Sequence, residues 1–351
     1  MGIKSLGQWL RKNAENTMHV IPLDSFSGAR LAVDASIYLY KFICISNSGG
    51  GNYFDMFLSF ILWLRKKNIR PVFVFDGKPP PQKNKTKEKR RENKEKLKNQ
   101  LVEIETLIDI LESSEPLNED IERRLASVYD GDSQTDPKRK ILHFLNEKRK
   151  KVSGQCISFT ADDIQKIKDL LSYMGLPWIQ SEYEAEKTCS WLCRWGYVTG
   201  VITGDSDILV YRTSIWITDV KSGDDKCKIV RYEDVLNAVG LTPEQFTDFC
   251  IMCGTDYNDN IPGIGPAKAY NLILEYENLE NISKTSINTD MLYFEDARQL
   301  FTIPDDIPDY RIPKITDIDL NALDDLLFKC NSRYNCSKIL KSIYKPKFVV
   351  S

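Results

Sequence analysis

The 351-residue chain is 42% hydrophobic and carries 48 basic against 50 acidic side chains, a net charge of −2 that points by itself to no nucleic-acid partner. No apolar run approaches the ~18 residues of a membrane span, and the start of the chain lacks an apolar leader, so neither a membrane helix nor a secretory signal is expected. Nine scattered cysteines, an odd number, fit free thiols in a reducing intracellular compartment, and only two histidines, His19 and His143, argue against a histidine-based triad or a His-rich metal site.

In chain order, a short amphipathic helix through Leu10 comes first. Arg30 to Asp34 has the continuous apolar character of a buried parallel strand, Ser36 to Ile45 reads as a helix, and the glycine-rich stretch from Ser46 to Asn52 as a loop. Residues 53–67 repeat apolar side chains at helical spacing, and Pro71 to Phe75 forms the next strand, ended by Asp76-Gly77. Strand–helix–strand in this order implies a right-handed crossover and an α/β fold on a parallel sheet. The composition then shifts. From Lys78 to Gln100 there are ten Lys or Arg and three Glu, residues 87–112 have helical spacing, 113–134 are acidic and polar, and basic runs return at Lys138 to Lys140 and Lys148 to Lys151. We read 83–151 as a mobile, basic insertion between sheet strands. A charge run is ordinarily a solvated surface, but this one adjoins an acidic strand end. Helices are expected over Ala161 to Met174 and Glu182 to Trp195, and strands over Pro177 to Gln180, Thr199 to Thr203 and Ser214 to Asp219. Further helices are expected over 233–239 and 243–253 and from the Gly263 turn through Tyr276, before a proline-interrupted tail over 290–351.

Acids recur where strands should end. Asp34 follows Leu31-Ala-Val33, Asp76 follows Val72-Phe-Val-Phe75, and Asp205 and Asp207 follow Gly200-Val-Ile202. Glu184 and Glu186 open a helix, and Asp256 lies in Cys253-Gly-Thr-Asp-Tyr257. Sites in open α/β sheets form beyond the carboxyl ends of strands, and seven acids gathered there would hold hard cations such as Mg²⁺ or Mn²⁺. Each acid also has a structural reading. Ser181-Glu-Tyr-Glu184 fits a capping box, Asp205 a helix N-cap, and Asp207 a first-turn acid. The capping box leaves Glu186 unexplained. Gly263-Ile-Gly265-Pro-Ala-Lys268 is neither a P-loop nor a dinucleotide fingerprint. Two glycines before a helix present backbone N–H groups to a phosphate, or form a plain turn between helices. The pairs Cys250/Cys253 and Cys189/Cys193 read as small buried hydrophobes rather than zinc ligands.

Met-Gly-Ile at the start, Val33-Asp-Ala-Ser36, Val74-Phe-Asp-Gly-Lys-Pro-Pro80, Tyr183-Glu-Ala-Glu186, Gly204-Asp-Ser-Asp207, Gly254-Thr-Asp-Tyr257 and Gly263-Ile-Gly-Pro266 resemble, in order over residues 1–275, the flap endonuclease family of structure-specific 5′ nucleases. The resemblance implies a central mixed, mostly parallel sheet between helices, a basic helical arch over the site and a helix–two-turn–helix module that binds duplex DNA. The corresponding regions are a nuclease region over 1–112 with the arch at about 83–151, an internal nuclease region over 152–225, the DNA-binding module over 226–290 and a helical tail over 291–351.

It further implies that Asp34, Asp76, Glu184, Glu186, Asp205, Asp207 and Asp256 serve two Mg²⁺ ions, with Mn²⁺ as a substitute, in two-metal phosphodiester hydrolysis. Lys83 and Arg90 match the basic pair at the arch base, Tyr40 the aromatic that stacks on a base, and Gly2 a glycine close to the site. Gly263, Gly265 and Lys268 would grip a duplex backbone. The partner is then branched or flapped DNA, met by a monomer in the nucleus or another place of DNA replication. Asn47, Phe60 and Trp63 depart from positions that are basic in the family, and Lys345 to Ser351 lacks a sliding-clamp motif. A 5′-3′ exonuclease or Holliday-junction resolvase of the same superfamily is the alternative within this class. A non-catalytic DNA-binding scaffold is the alternative outside it, which loss of a metal acid would favour; none is lost.

Overall fold

The computed structural model of the chain describes residues 2–113, 123, 137–156, 160–221, 223–303 and 311–343. Its elements begin with α1 (Leu6–Asn13), β1 (Met18–Pro22), β2 (Arg30–Asp34), α2 (Ala35–Ile45), α3 (Tyr53–Lys66), β3 (Arg70–Phe75), α4 (Asn84–Glu112) and α5 (Pro137–Gln155). They continue with α6 (Ala161–Tyr173), β4 (Trp178–Gln180), α7 (Ala185–Arg194), β5 (Gly200–Ile202), β6 (Ile215–Thr218), β7 (Lys226–Arg231), α8 (Tyr232–Val239), α9 (Pro243–Cys253) and α10 (Pro266–Tyr276). The tail adds α11 (Leu279–Ser283), α12 (Phe294–Phe301), α13 (Leu320–Lys329) and α14 (Cys336–Ile343).

The strands form one seven-stranded sheet in the order β1-β7-β6-β5-β2-β3-β4. β6, β5, β2, β3 and β4 are mutually parallel, and β7 runs antiparallel to both β6 and β1. The mostly parallel α/β sheet is the one the sequence predicts. Alternate residues feed two cores, because side chains on a strand point to opposite faces. Ala32, Val72, Val74 and Val201 join the core that also holds α1, α7, α9 and α10. Leu31, Val33, Phe73, Phe75 and Ile202 join the other, against α2, α3, α6, α13 and α14. From β2 the chain proceeds outward through β3 to β4, whereas β5 pairs on the other side of β2 and leads to β6. The direction of winding therefore switches between β2 and β5, and the open crevice lies there.

Two strands escape the sequence reading. β1 is a mostly exposed edge strand without apolar alternation. β7 carries Lys226, Lys228 and Arg231 around its buried Cys227, Ile229 and Val230. Consequently residues 226–231 belong to the sheet, not to the DNA-binding module expected over 226–290. Phe60 and Trp63, which replace basic residues of the family pattern, are buried, and Phe60 stacks on Tyr38 at 4.5 Å between ring centroids. This face of α3 packs into the core. Asn47 lies in the turn after α2, where its carbonyl accepts from Ser153 Oγ of α5 at 3.4 Å.

Between β3 and β4, α4 and α5 pack on each other through Ile104, Leu107, Ile108, Leu111, Leu145 and Val152, a small core separate from the two beside the sheet. The basic insertion is thus a helical hairpin among the described residues; most of the acidic stretch 113–134 lies outside them. All nine cysteines are free, and those of the two close pairs are buried. No described helix is long and apolar enough to cross a membrane.

Candidate active site

β4, β3, β2 and β5 are neighbours in the sheet, so their carboxyl ends make one edge. Asp34 closes β2, Asp76 directly follows β3, Glu184 and Glu186 lie at the start of α7 after β4, and Asp205 and Asp207 follow β5. Asp34 Oδ1 caps α2 by accepting from Ile37 N at 3.1 Å, while its Oδ2 accepts from Thr203 Oγ1 at 3.1 Å. Asp205 accepts from Asp207 N at 3.2 Å, the N-cap the sequence suggests, at the start of a single turn of 3₁₀ helix.

The capping box expected at Ser181 does not form. α7 begins later, at Ala185, with Glu184 in the N-cap position and no capping bond from its side chain. Ser181 Oγ instead donates to the Glu184 carbonyl at 2.9 Å. The donor at the helix start, Ala185 N, is satisfied by Asp76 Oδ1 at 2.9 Å. An acid on another strand thus caps this helix, and the Glu184 side chain is free to turn elsewhere.

Crowding is visible in the electrostatics. Asp34 is pushed up to about 7, first by burial and then by the Asp76 charge. Burial, then Asp34 and Asp76, raises Glu186 well above the carboxylate range; burial, then Asp205, does the same to Asp207. Burial also raises Asp205. Buried like charges of this kind favour a bound cation or proton. At Asp256 burial is outweighed by Lys83 and Arg90, and its carboxyl lies below the usual range. Lys83 Nζ bridges Glu184 Oε1 and Asp256 Oδ2, the latter at 2.9 Å, and Arg90 Nη2 reaches both Asp256 oxygens at 2.8 and 2.7 Å. Thr86 Oγ1 donates to the Asp256 carbonyl at 2.7 Å. The base of the arch is therefore tied to the acidic edge.

Among the described residues no three acids, thiols or imidazoles converge as a ready-made cation cage. Two of the seven carboxylates, Glu184 and Asp256, are engaged by Lys83, and Asp256 also by Arg90. The donors nevertheless suit a hard divalent ion, being all carboxylate oxygen and crowded on one edge.

Gly2 has φ +87°, and a Cβ there would overlap both Asp207 Oδ1 and Asp205 Oδ1. Ile3 N donates to Asp207 Oδ1 at 2.6 Å. The start of the chain is thus sewn into the site, and only glycine allows the approach. Tyr40 is half-buried on α2, next to Cys44 and within the field of Arg90. Gly263, Gly265 and Lys268 lie apart from the acids, exposed around the start of α10. Gly263 has φ +77°, and a Cβ on Gly265 would meet nothing, so no contact inside the protein demands glycine at that position. α9 and α10 are held against α1 by Trp9, whose ring centroid lies 4.6 Å from Phe249 and 5.0 Å from Tyr270. Asp256 and the Gly263 turn belong to the same α9–α10 connection, which links the acids to the exposed glycines.

Sequence reasoning misses Thr203, Thr86, Tyr211 and Tyr257. Tyr257 sits beside Asp256 in a motif already singled out. Tyr211 follows an apolar run with no signal that its phenol would reach Glu184.

Comparison with known proteins now bears on this geometry. The XPG N-terminal domain matches residues 1–97 and the XPG I-region matches residues 175–256. "Probable RAD2-like endonuclease 369L" of Invertebrate iridescent virus 6 is 32% identical over 309 residues, 81% of this chain and 74% of that protein. Flap endonuclease 1 of Entamoeba dispar is 30% identical over 375 residues, spanning 100% of this chain and 89% of its own. The catalytic core of Rad2 in complex with DNA substrate superposes with a TM-score of 0.66 at 21% identity, over 97% of this chain and all of that one. Fold and similarity together define a DNA nuclease built on an α/β sheet. More narrowly, the chain belongs to the XPG/Rad2-like family of flap endonucleases.

Proposed function

We propose that the protein is a structure-specific 5′ flap endonuclease that hydrolyses one phosphodiester of branched DNA in replication, repair or recombination. The observation that carries this reading is the single sheet edge on which Asp34, Asp76, Glu184, Glu186, Asp205 and Asp207 meet, faced by Lys83 and Arg90. In this proposal Asp34, Asp76, Glu186, Asp205 and Asp207 hold two divalent cations, with Glu184 and Asp256 supporting them. Mg²⁺, or Mn²⁺ in its place, supplies Lewis acidity for the hydrolysis.

The residues of the chain do the rest. Lys83 and Arg90 exchange Glu184 and Asp256 for the scissile phosphate and offset the charge that develops on its oxygens. Tyr40, beside Arg90, stacks on the neighbouring base. The exposed N–H groups of the Gly263–Gly265 turn and the Lys268 ammonium hold a duplex phosphate, which positions DNA without reading its sequence. The open space at Gly265 supports this role. Gly2 lets the backbone lie against Asp205 and Asp207. The α4–α5 hairpin guides the single-stranded 5′ flap, and the enzyme acts as a monomer where DNA is copied or mended.

The test uses 5′-labelled DNA in Mg²⁺: a double flap, a nicked duplex with a recessed 5′ end and a four-way junction, with Asp205→Asn and a chelated sample as controls. Release of the intact flap is the expected result. Mononucleotides from the recessed end would move the protein to the exonuclease branch, and paired symmetric nicks would make it a resolvase. Tight, salt-sensitive binding without any cleavage would leave a DNA-binding scaffold.

A further inference from the structure

Glu184 is held from two sides. Its Oε1 meets Lys83, and its Oε2 accepts from the Tyr257 hydroxyl. The Tyr211 hydroxyl lies 3.1 Å from that of Tyr257 and 3.4 Å from Glu184 Oε2. A phenol has one proton. Tyr257 donates its one O–H to the carboxylate, so its oxygen is left to accept from Tyr211, the shorter of the two contacts open to that residue. The three groups form a chain running from Tyr211 through Tyr257 to Glu184, in which each bond polarises the next.

Phe301 of α12 supports both rings. Its centroid is 5.5 Å from that of Tyr211, edge-on, and 5.3 Å from that of Tyr257. Lys187 Nζ of α7 donates to the Leu300 carbonyl at 3.1 Å, which ties the end of α12 to the helix that Glu184 precedes. Phe301 lies well beyond residue 256, where the XPG I-region match stops.

We propose that Tyr211 and Tyr257, propped by Phe301, are positioning residues that fix the Glu184 carboxylate and, through it, the site's affinity for divalent cations and the resting place of Lys83. The inference rests on the reading of Glu184 as a supporting acid of the cation site. Neither phenol needs to touch DNA or the reacting phosphate. With Oε2 anchored, Oε1 is presented toward Lys83 and Asp256; without the anchor the carboxylate rotates about its last torsion, which is soft.

The experiment uses the full chain with Tyr257→Phe, Tyr211→Phe, Glu184→Gln and the two Tyr/Glu double variants. Three quantities are read: Mn²⁺ affinity by calorimetry, DNA affinity in chelator, and kcat and KM on a labelled flap. Tyr257→Phe should weaken Mn²⁺ binding and lower kcat by ~10-fold, the size of one hydrogen bond to a charged group, with KM and chelator affinity unchanged. Tyr211→Phe should do the same by about two- to threefold, as the second link of the chain. In the Glu184→Gln background neither substitution should have further effect. Additive losses in that background, wild-type Mn²⁺ affinity in both single variants, or losses that merely track a lowered Tm would overturn the proposal. An inactive wild type would sink the nuclease reading, whereas the Mn²⁺ affinities of the double variants would still decide the role of the tyrosines.

Discussion

The acidic sheet edge and the basic helical hairpin are built in opposite ways. The edge stands on strands whose neighbouring residues are buried on both faces, and its acids are fixed by backbone donors such as Ile37 N, Ala185 N and Ile3 N. The hairpin stands on a small core of its own, and its charged side chains project from an otherwise polar pair of helices. Placing like charges together costs folding free energy and needs a rigid support. Charges that project into solvent from a helical pair carry much less of that cost. The two meet at Lys83 and Arg90, where the first turns of α4 are tied to Glu184 and Asp256.

The largest expected effect separates chemistry from binding. Asp205→Asn should lower kcat by ~10³-fold or more, the several kcal/mol that a metal-supported charge contributes, while DNA affinity measured in chelator stays within about twofold, as expected when phosphate contacts are untouched. A parallel loss of affinity would show that the edge also grips DNA.

A pair of core truncations tests the difference in support. Phe73→Ala, under the sheet, should cost ~3–5 kcal/mol of global stability, and Leu107→Ala in the hairpin ~2–5 kcal/mol. The second loss should be local, read as faster amide exchange confined to α4 and α5 with the main melting transition little moved. A matching fall in global Tm would mean that hairpin and sheet fold as one unit.

Lys83→Met should lower kcat on flaps by ~10²-fold, the usual cost of removing one donor aimed at developing charge, and should strengthen divalent-cation binding by freeing Glu184 and Asp256. Weaker cation binding in calorimetry would break the link between the two regions.

Protons and cations should compete at the edge. Asp34 titrates at about 7 in the folded chain, against ~3.9 when unfolded, and Glu186 and Asp207 are raised as well. At these three acids the folded, cation-free protein therefore holds more protons than the unfolded chain above the ordinary carboxylate range. The stability these raised acids contribute is fully present below about pH 4 and is lost as pH rises through about 7. In chelator the contribution of these acids should lower Tm across that window, and Mg²⁺ should restore it most at the alkaline end. A Mg²⁺ effect independent of pH would show that these acids do not bind the ion.

The smallest effect belongs to the exposed turn. Lys268→Ala should weaken DNA binding two- to threefold at moderate salt and reduce the slope of log K against log salt by about 1. An unchanged slope would remove Lys268 from the duplex contact.

Much of the sheet and four acids of the edge, Asp34, Asp76, Asp205 and Asp207, could be read from the chain, because continuous apolar runs ended by carboxylates leave a local signature; Glu184 and Glu186 stood out only at an expected helix start. Leu31 to Asp34 and Val72 to Asp76 are such runs. The edge strand β1 and the lysine-bearing β7 left little signature, since a strand that is half exposed needs no apolar run. The sequence alone determined which residues could carry charge to a strand end and which stretch was basic enough to face them. Only the tertiary structure decided that Asp76 rather than Ser181 caps α7, that Phe60 and Trp63 are core, and that two phenols 46 residues apart share one glutamate. Those outcomes depend on which helix packs over which strand, and hydrogen bonds between distant segments are set by that packing rather than by the identity of neighbours in the chain.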